Sequence, residues 1–184
     1  NHEGISKVLR AMGPTVLGLA VFQINVLLDR LIAYALVEDA GALTHLYLGN
    51  RLMQLPLALF SISLATTAFP DLVSHLKRKE WKNLFGKIET SIRFLFFLMA
   101  PAAIGLIAVS EPVVRMIFQE PDLEFSDMEV YKTSAVLALY APGLIFISIQ
   151  QFVTRIFYAE GDYKTPVKIS IRMVALNIIL NIIL

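Results

Sequence analysis

The sequence predicts an all-α fold, a polytopic bundle of membrane-spanning helices. Three observations carry this expectation. Of 184 residues, 57% are hydrophobic and 17% charged, against about a quarter charged in an ordinary soluble domain. Mean hydropathy is +0.66. The apolar residues also gather into long runs, and a helix needs about 20 of them to cross a hydrocarbon layer of roughly 30 Å. Lipid offers the backbone no hydrogen-bond partner, so runs of this length are helices and not open strands.

Taken in order, the spans fall near 13–37, 42–69, 93–110, 133–154 and 165–184. Asp29 and Arg30 interrupt the first and Arg51 the second, whereas 133–154 holds no charge. Glu38 to Gly41 reads as a tight polar turn. Residues 70–92 read as a basic cytoplasmic loop, in which Trp81, Leu84, Phe85, Ile88 and Ile92 recur at helical spacing. That pattern predicts a short helix lying in the interface as an anchor. Ser110 to Lys132 is acidic, with Pro112 and Pro121 as breakers. Gly161-Asp162 marks the last turn, and Pro166 sits in the first turn of the next helix, where its missing N–H does no harm. Pro14, Pro56, Pro101 and Pro142 lie within spans, where each removes a hydrogen bond and invites a kink.

Charge gives the orientation. Alternating the spans places Lys7, Arg10, Lys77, Arg78, Lys79, Lys82, Lys87, Arg93, Arg155, Lys164, Lys168 and Arg172 on one side. The other side has Arg115 and Lys132 among a majority of acids. Basic residues mark the cytoplasmic side, so the N-terminus is expected in the cytoplasm. A net charge of +1 gives no reason to expect nucleic acid. The absence of cysteine excludes disulfides, thiol nucleophiles and cysteine-held metals. His2, His45 and His75 have no ligand spacing, and no nucleotide loop or nucleophile elbow occurs, so an enzyme is not expected. His45 reads as an interfacial polar residue. With no initiator methionine, no signal-peptide pattern and an uncapped apolar end, the chain reads as an internal part of a longer protein.

Charges held in lipid cost at least about 2.5–3.5 kcal/mol, which makes Asp29 and Arg51 candidates for function or for a bridge between neighbouring spans. Arg30 can reach the outer interface along its own stem. Tyr47, Arg51 and Gln54 share one helical stripe with Asn50 alongside, and Asn25 lies one turn from Asp29. Arginine beside amides suits a phosphate or carboxylate, because its fork of donors matches an oxyanion. Asn177 and Asn181 share a face of the last span; with Asp29 they offer hard oxygen ligands for a small cation, or they bond between helices.

Gln23-Ile24-Asn25 followed by Asp29, then the block from Leu46 to Leu57 (Leu-Tyr-Leu-Gly-Asn-Arg-Leu-Met-Gln-Leu-Pro-Leu), resembles the MurJ/MviN family of lipid II flippases. Ser61 to Thr66, Phe69-Pro70, Phe157-Tyr158-Ala159 and Gly161 to Val167 continue the resemblance over the whole chain. It implies five spans of the second, C-terminal lobe of a two-lobe transporter of the multidrug/oligosaccharidyl-lipid/polysaccharide exporter superfamily. The implied activity is to flip lipid II, the undecaprenyl-pyrophosphate-linked muropeptide, to the outer leaflet of the bacterial cytoplasmic membrane by alternating access. Arg51 is the implied head-group anchor, and proteins of cell-wall synthesis are implied partners. The one implied cofactor is a sodium ion at Asp29, Asn177 and Asn181. Gly49 stands where the family commonly has alanine, a change expected to cost only some helix propensity. The competing expectations are another lipid-linked oligosaccharide or drug exporter of that superfamily, and a membrane scaffold that transports nothing.

Overall fold

The computed structural model describes residues 41–119 and 125–183, together with Met12, Val16, Ala20, Gln23, Ile24, Val26, Leu27, Leu28, Arg30 and Leu31, all helical. Every element among the described residues is a helix. In chain order these are α1 (Ala42–Pro56), a π-helical segment (Leu57–Ile62), α2 (Ser63–Lys77) and α3 (Trp81–Ala108). Then follow α4 (Ser110–Phe118), α5 (Asp127–Tyr140), α6 (Gly143–Glu160) and α7 (Lys164–Ile183). The all-α expectation is met. Most of the first expected span lies outside the described residues.

The chain divides into two compact units, 39–155 and the pair 1–38 with 156–184. In the first unit α1 packs on α5, α4 on α5 and α2 on α3. Leu52, Met53, Leu57, Met99, Val114, Val130, Leu137 and Leu144 form its core. The outward surface carries large apolar side chains: Phe97, Leu139 and Phe146 are 71%, 80% and 73% exposed. A soluble surface rarely tolerates such patches, whereas acyl chains cover them without cost. α3 alone is long and apolar enough to cross a membrane among the described residues, and three spans result if each bent pair counts as one.

The two bends differ in their relation to proline. Pro56 supplies no N–H to the carbonyl one turn back, and the chain relaxes into the π-helical turn that follows it. The 52° bend falls past that turn, at 62–65, between the arms Ala42–Ser61 and Thr66–Lys77. Pro142 lies in the two-residue break between α5 and α6, which bend by 48°. The run 133–154, expected as one span, is therefore two helices. Pro101, by contrast, sits inside an unbroken α3.

Residues 70–92 differ most from expectation. α2 continues through Pro70 to Lys77, and α3 starts at Trp81. The segment is the tip of a helical hairpin and not a loop carrying a separate interfacial helix. The reason is packing: Leu72 and Leu84 bury themselves between the two arms, and Lys87 pairs with Asp71 at 3.0 Å. The expected acidic loop 110–132 likewise contains α4 and the first turns of α5.

α5 opens with a capping box. The Ser126 hydroxyl accepts from the Glu129 N–H at 3.3 Å, and the Glu129 carboxylate accepts from the Ser126 N–H at 2.6 Å. Those bonds from Ser126 hold the Glu129 carboxyl below its ordinary range. Gln119 and then Arg115 do the same for Asp127. A carboxylate with a depressed pKa adds stability above its ordinary value and loses it as pH falls through the depressed one. Thermal stability is therefore expected to fall on acidification below about pH 4. Ser126→Ala should flatten that dependence in a pH series of melting curves.

In the second unit, Gly161 has φ 84 and Tyr158 stacks on Tyr163 across the turn. Asp162 caps α7 by accepting from the Lys164 and Thr165 N–H groups, each at 3.0 Å. Pro166 follows in the first turn, as expected.

Candidate functional site

α1 has two opposite faces. His45, Gly49, Leu52 and Met53 are buried. At about 100° per residue, Tyr47, Arg51 and Gln54 point the other way, with Asn50 on the flank. Tyr47, Arg51 and Gln54 are exposed and Asn50 is half-buried. The stripe read from spacing is thus one continuous polar surface, turned away from the core of its own unit.

Its side chains organise one another. The Arg51 Nε–H donates to the Tyr47 hydroxyl at 3.0 Å, and the guanidinium carbon lies 5.3 Å from the Tyr47 ring centroid. This occupies Nε and leaves both terminal nitrogens for a ligand, the pair that matches two oxygens of one phosphate. No carboxylate pairs with Arg51 among the described residues. Gln54 Nε2–H donates to Asn50 Oδ1 at 2.7 Å, one turn away. That bond leaves the Gln54 carbonyl oxygen and the Asn50 NH₂ for other contacts. The surface carries one fixed cation and two amides.

Behind the stripe, α1 is held by contacts that spacing does not reveal. His45 is 4% exposed, and its Nδ1 lies 2.9 Å from the fully buried Thr133 hydroxyl, with Phe125 edge-on to the ring. It is a core residue of the α1–α5 contact and not the interfacial group expected. Gly49 packs directly on α5: a Cβ there would stand 2.7 Å from Val136 Cγ1 and 3.3 Å from the Leu137 nitrogen. Glycine is thus accommodated at 49, and the packing against α5, beyond the helix propensity expected to matter, bears on the residue there. Ser61, 2% exposed, donates to Gln151 Oε1 at 3.4 Å and ties the π-helical turn to α6.

Beyond that turn α2 opens with a group of hydroxyls. Ser63, Thr66 and Thr67 are exposed, and their hydroxyls donate to carbonyls one turn back at 2.6, 2.8 and 3.0 Å. Sequence reasoning did not select them as site residues; the density of hydroxyls just past Pro56 was the available signal.

The remaining expected site residues divide differently. Asn25 and Asp29 lie outside the described residues. Asn177 is half-buried on α7, and Asn181 falls on the same helix. Among the described residues no three His, Cys, Asp or Glu side chains gather as a metal site. A hollow of about 600 Å³ runs along α3 between Ile92 and Pro101; it is apolar, and no residue of the stripe lines it.

A family model described as Lipid II flippase MurJ matches residues 1–184. The chain is 32% identical to the "Probable lipid II flippase MurJ" of Haemophilus influenzae, covering 98% of this chain and 36% of that protein. It is 33% identical to the protein of the same name in Thermotoga maritima, over 99% of this chain and 37% of the relative. For the Vibrio cholerae relative the values are 32%, 98% and 34%. The chain thus spans about a third of the length of the curated relatives it matches. No solved structure matches it.

Proposed function

The chain belongs to the lipid II flippase MurJ family, and from that membership we propose that it forms part of the second lobe of a transporter carrying lipid II across the bacterial cytoplasmic membrane. The observation that carries this reading is the exposed α1 stripe, with Arg51 held at Nε by Tyr47 and open at both terminal nitrogens. Lipid II carries a pyrophosphate between its lipid and its sugars, and the arginine fork takes that group while Asn50 and Gln54 meet neighbouring hydroxyl or amide groups. The work is binding and release, with no covalent step.

Transport in this reading proceeds by alternating access, with the N-terminal end of the segment in the cytoplasm as the basic residues favour. The breaks at 62–65 and 141–142 are the places where helices can change angle around a midplane site. Proteins of cell-wall synthesis, which consume the flipped precursor, are its proposed partners.

Asp29, Asn177 and Asn181 are the proposed cation ligands. One carboxylate and two amide oxygens fit a hard, singly charged ion such as sodium. A bound ion there would offset the Asp29 charge and so bias one arrangement of the helices. Replacing sodium by potassium should then slow transport by the wild type and leave an Asp29→Asn variant insensitive.

Tyr47→Phe keeps the ring and removes the oxygen that holds Arg51. It should weaken head-group affinity by roughly the several-fold that one hydrogen bond is worth, without lowering abundance. Titration of the purified protein with lipid II checks this.

The proposal as a whole is tested in cells depleted of their own flippase. The full-length protein is expected to restore lipid II exposure on the outer leaflet. Normal abundance in the membrane without restored exposure would overturn it.

A further inference from the structure

The apolar hollow along α3 is a feature that transport leaves unused. One helix supplies its lining: Ile92, Arg93, Phe96, Phe97, Ala100 and Pro101. The sequence builds it by side-chain size. Phe96 and Phe97 project from α3 at 55% and 71% exposure, and Ile104 projects again at 68%. Between them stand Ala100 and Pro101, a methyl group and a compact ring, and the hollow opens over these.

Its depth follows from charge. Lys82, Lys87, Glu89 and Arg93 lie in the first half of α3, and the next charged residue is Glu111 on α4. Residues 94–110 are thus the uncharged run that fits the hydrocarbon layer. Arg93 stands at its edge, with a stem long enough to keep the guanidinium among head groups. From Ile92 to Pro101 is about 14 Å at 1.5 Å per residue, close to the roughly 15 Å of one leaflet's hydrocarbon. The hollow therefore begins at a cation on the head-group boundary and ends near the middle of the layer. Arg93 is open to a ligand there. Its Nη2–H donates to Glu89 Oε1 at 2.6 Å, an exposed pair one turn apart. Such a pair is worth little, and it leaves Nε and Nη1 for an oxyanion.

We propose that the hollow is a binding site for one phospholipid of the leaflet on the Arg93 side, its phosphate on the Arg93 guanidinium and its acyl chains over Ala100 and Pro101. Three features select this occupant. A cation at the mouth and an apolar floor match the two ends of a phospholipid, whereas a soluble anion would gain nothing from the floor. The length matches one leaflet, whereas a further helix crosses the whole layer and would not stop at Pro101. About 600 Å³ spread over that length is a mean section of roughly 45 Å². A helix about 10–12 Å across has twice that section or more. The transported lipid fits less well, because an undecaprenyl chain is much longer than one leaflet is deep. The inference needs only that α3 is inserted, and it is independent of what the protein transports.

The test uses the full-length protein in phosphatidylglycerol vesicles, a fraction of whose lipid carries a diazirine in mid-chain. After irradiation, peptide mass spectrometry compares lipid adducts on residues 92–101 with those on 139–146, where Leu139 and Phe146 are as exposed as Phe97. The wild type should carry several-fold more adducts on 92–101. Arg93→Gln should lower that excess about five-fold, the factor that one near-surface cation contributes, and Arg93→Lys should keep most of it. Ala100→Leu fills the hollow and should remove the excess. Arg93 is exposed and its partner lies on its own helix, so Arg93→Gln keeps the test decisive if Ala100→Leu fails to fold. Equal labelling of the two stretches in the wild type overturns the proposal, whether bulk lipid or another part of the protein covers α3. An unchanged excess in either Arg93→Gln or Ala100→Leu overturns it too. So does displacement of the label by equimolar lipid II, which would assign the hollow to the transported lipid. Transport plays no part in the readout, so any of these failures leaves the flippase reading where it stands.

Discussion

Arg51→Ala is expected to reduce outward movement of lipid II by the full-length protein about 100-fold, at unchanged membrane abundance and thermal stability. The two halves of that expectation come from the same geometry. Arg51 is exposed, and its partner Tyr47 is on its own helix, one turn away. Removing it therefore opens no cavity and orphans no buried group, and such surface changes cost little. Its terminal nitrogens are the proposed contacts to a diphosphate, and a hydrogen bond to a charged group is worth about 1.5–3 kcal/mol. Losing two of them accounts for the factor. Arg51→Lys keeps the charge and loses the fork, so it should fall between the two. A non-transporting scaffold would show no difference among the three proteins in any function they support.

Gly49→Leu is the largest expected loss of stability. The α1–α5 contact closes on that glycine, and even one added carbon meets Val136 Cγ1 at 2.7 Å and Val136 Cβ at 3.4 Å. Val136 is β-branched and stiff at χ1, and the Leu137 nitrogen is backbone, so neither side can yield easily. Overpacking of this kind costs about 1–3 kcal/mol, and leucine should lie at or above the upper end. Gly49→Ala is the more informative change. Alanine favours the helix by about 1 kcal/mol, while its methyl forces Val136 to shift. A net loss of thermal stability for Gly49→Ala, recovered by adding Val136→Ala, is the expected double-mutant result. Additive effects would show that the helices separate without cost, contrary to the packing described here.

Much of this was legible in the sequence, for reasons that particular residues make clear. The stripe of Tyr47, Asn50, Arg51 and Gln54 was readable because helical spacing alone decides which side chains share a face. The turn at Gly161-Asp162 and the position of Pro166 were readable because turn and cap chemistry is local. What was not legible depended on a second helix. Spacing could not tell that His45 would meet Thr133, or that Gly49 would meet Val136, since both partners lie far along the chain. Proline was legible as a kink at Pro142 and misleading at Pro70. Pro70 looked like the end of a span, yet α2 runs through it because Leu72 and Leu84 still pack between the hairpin arms. Pro142 falls within an uncharged run that reads as one span, and there the helix does break.

The central claim is that the exposed face of α1 lines the path of an anionic head group. Gln54→Cys in an otherwise cysteine-free full-length protein tests it most directly, with labelling by a membrane-impermeant maleimide followed in the presence and absence of lipid II. Leu139→Cys, on the outward apolar surface, serves as the comparison. The account predicts rapid labelling at 54, slowed several-fold by lipid II, and little labelling at 139. Labelling at 54 that is as slow as at 139, or that lipid II leaves unchanged, would contradict it.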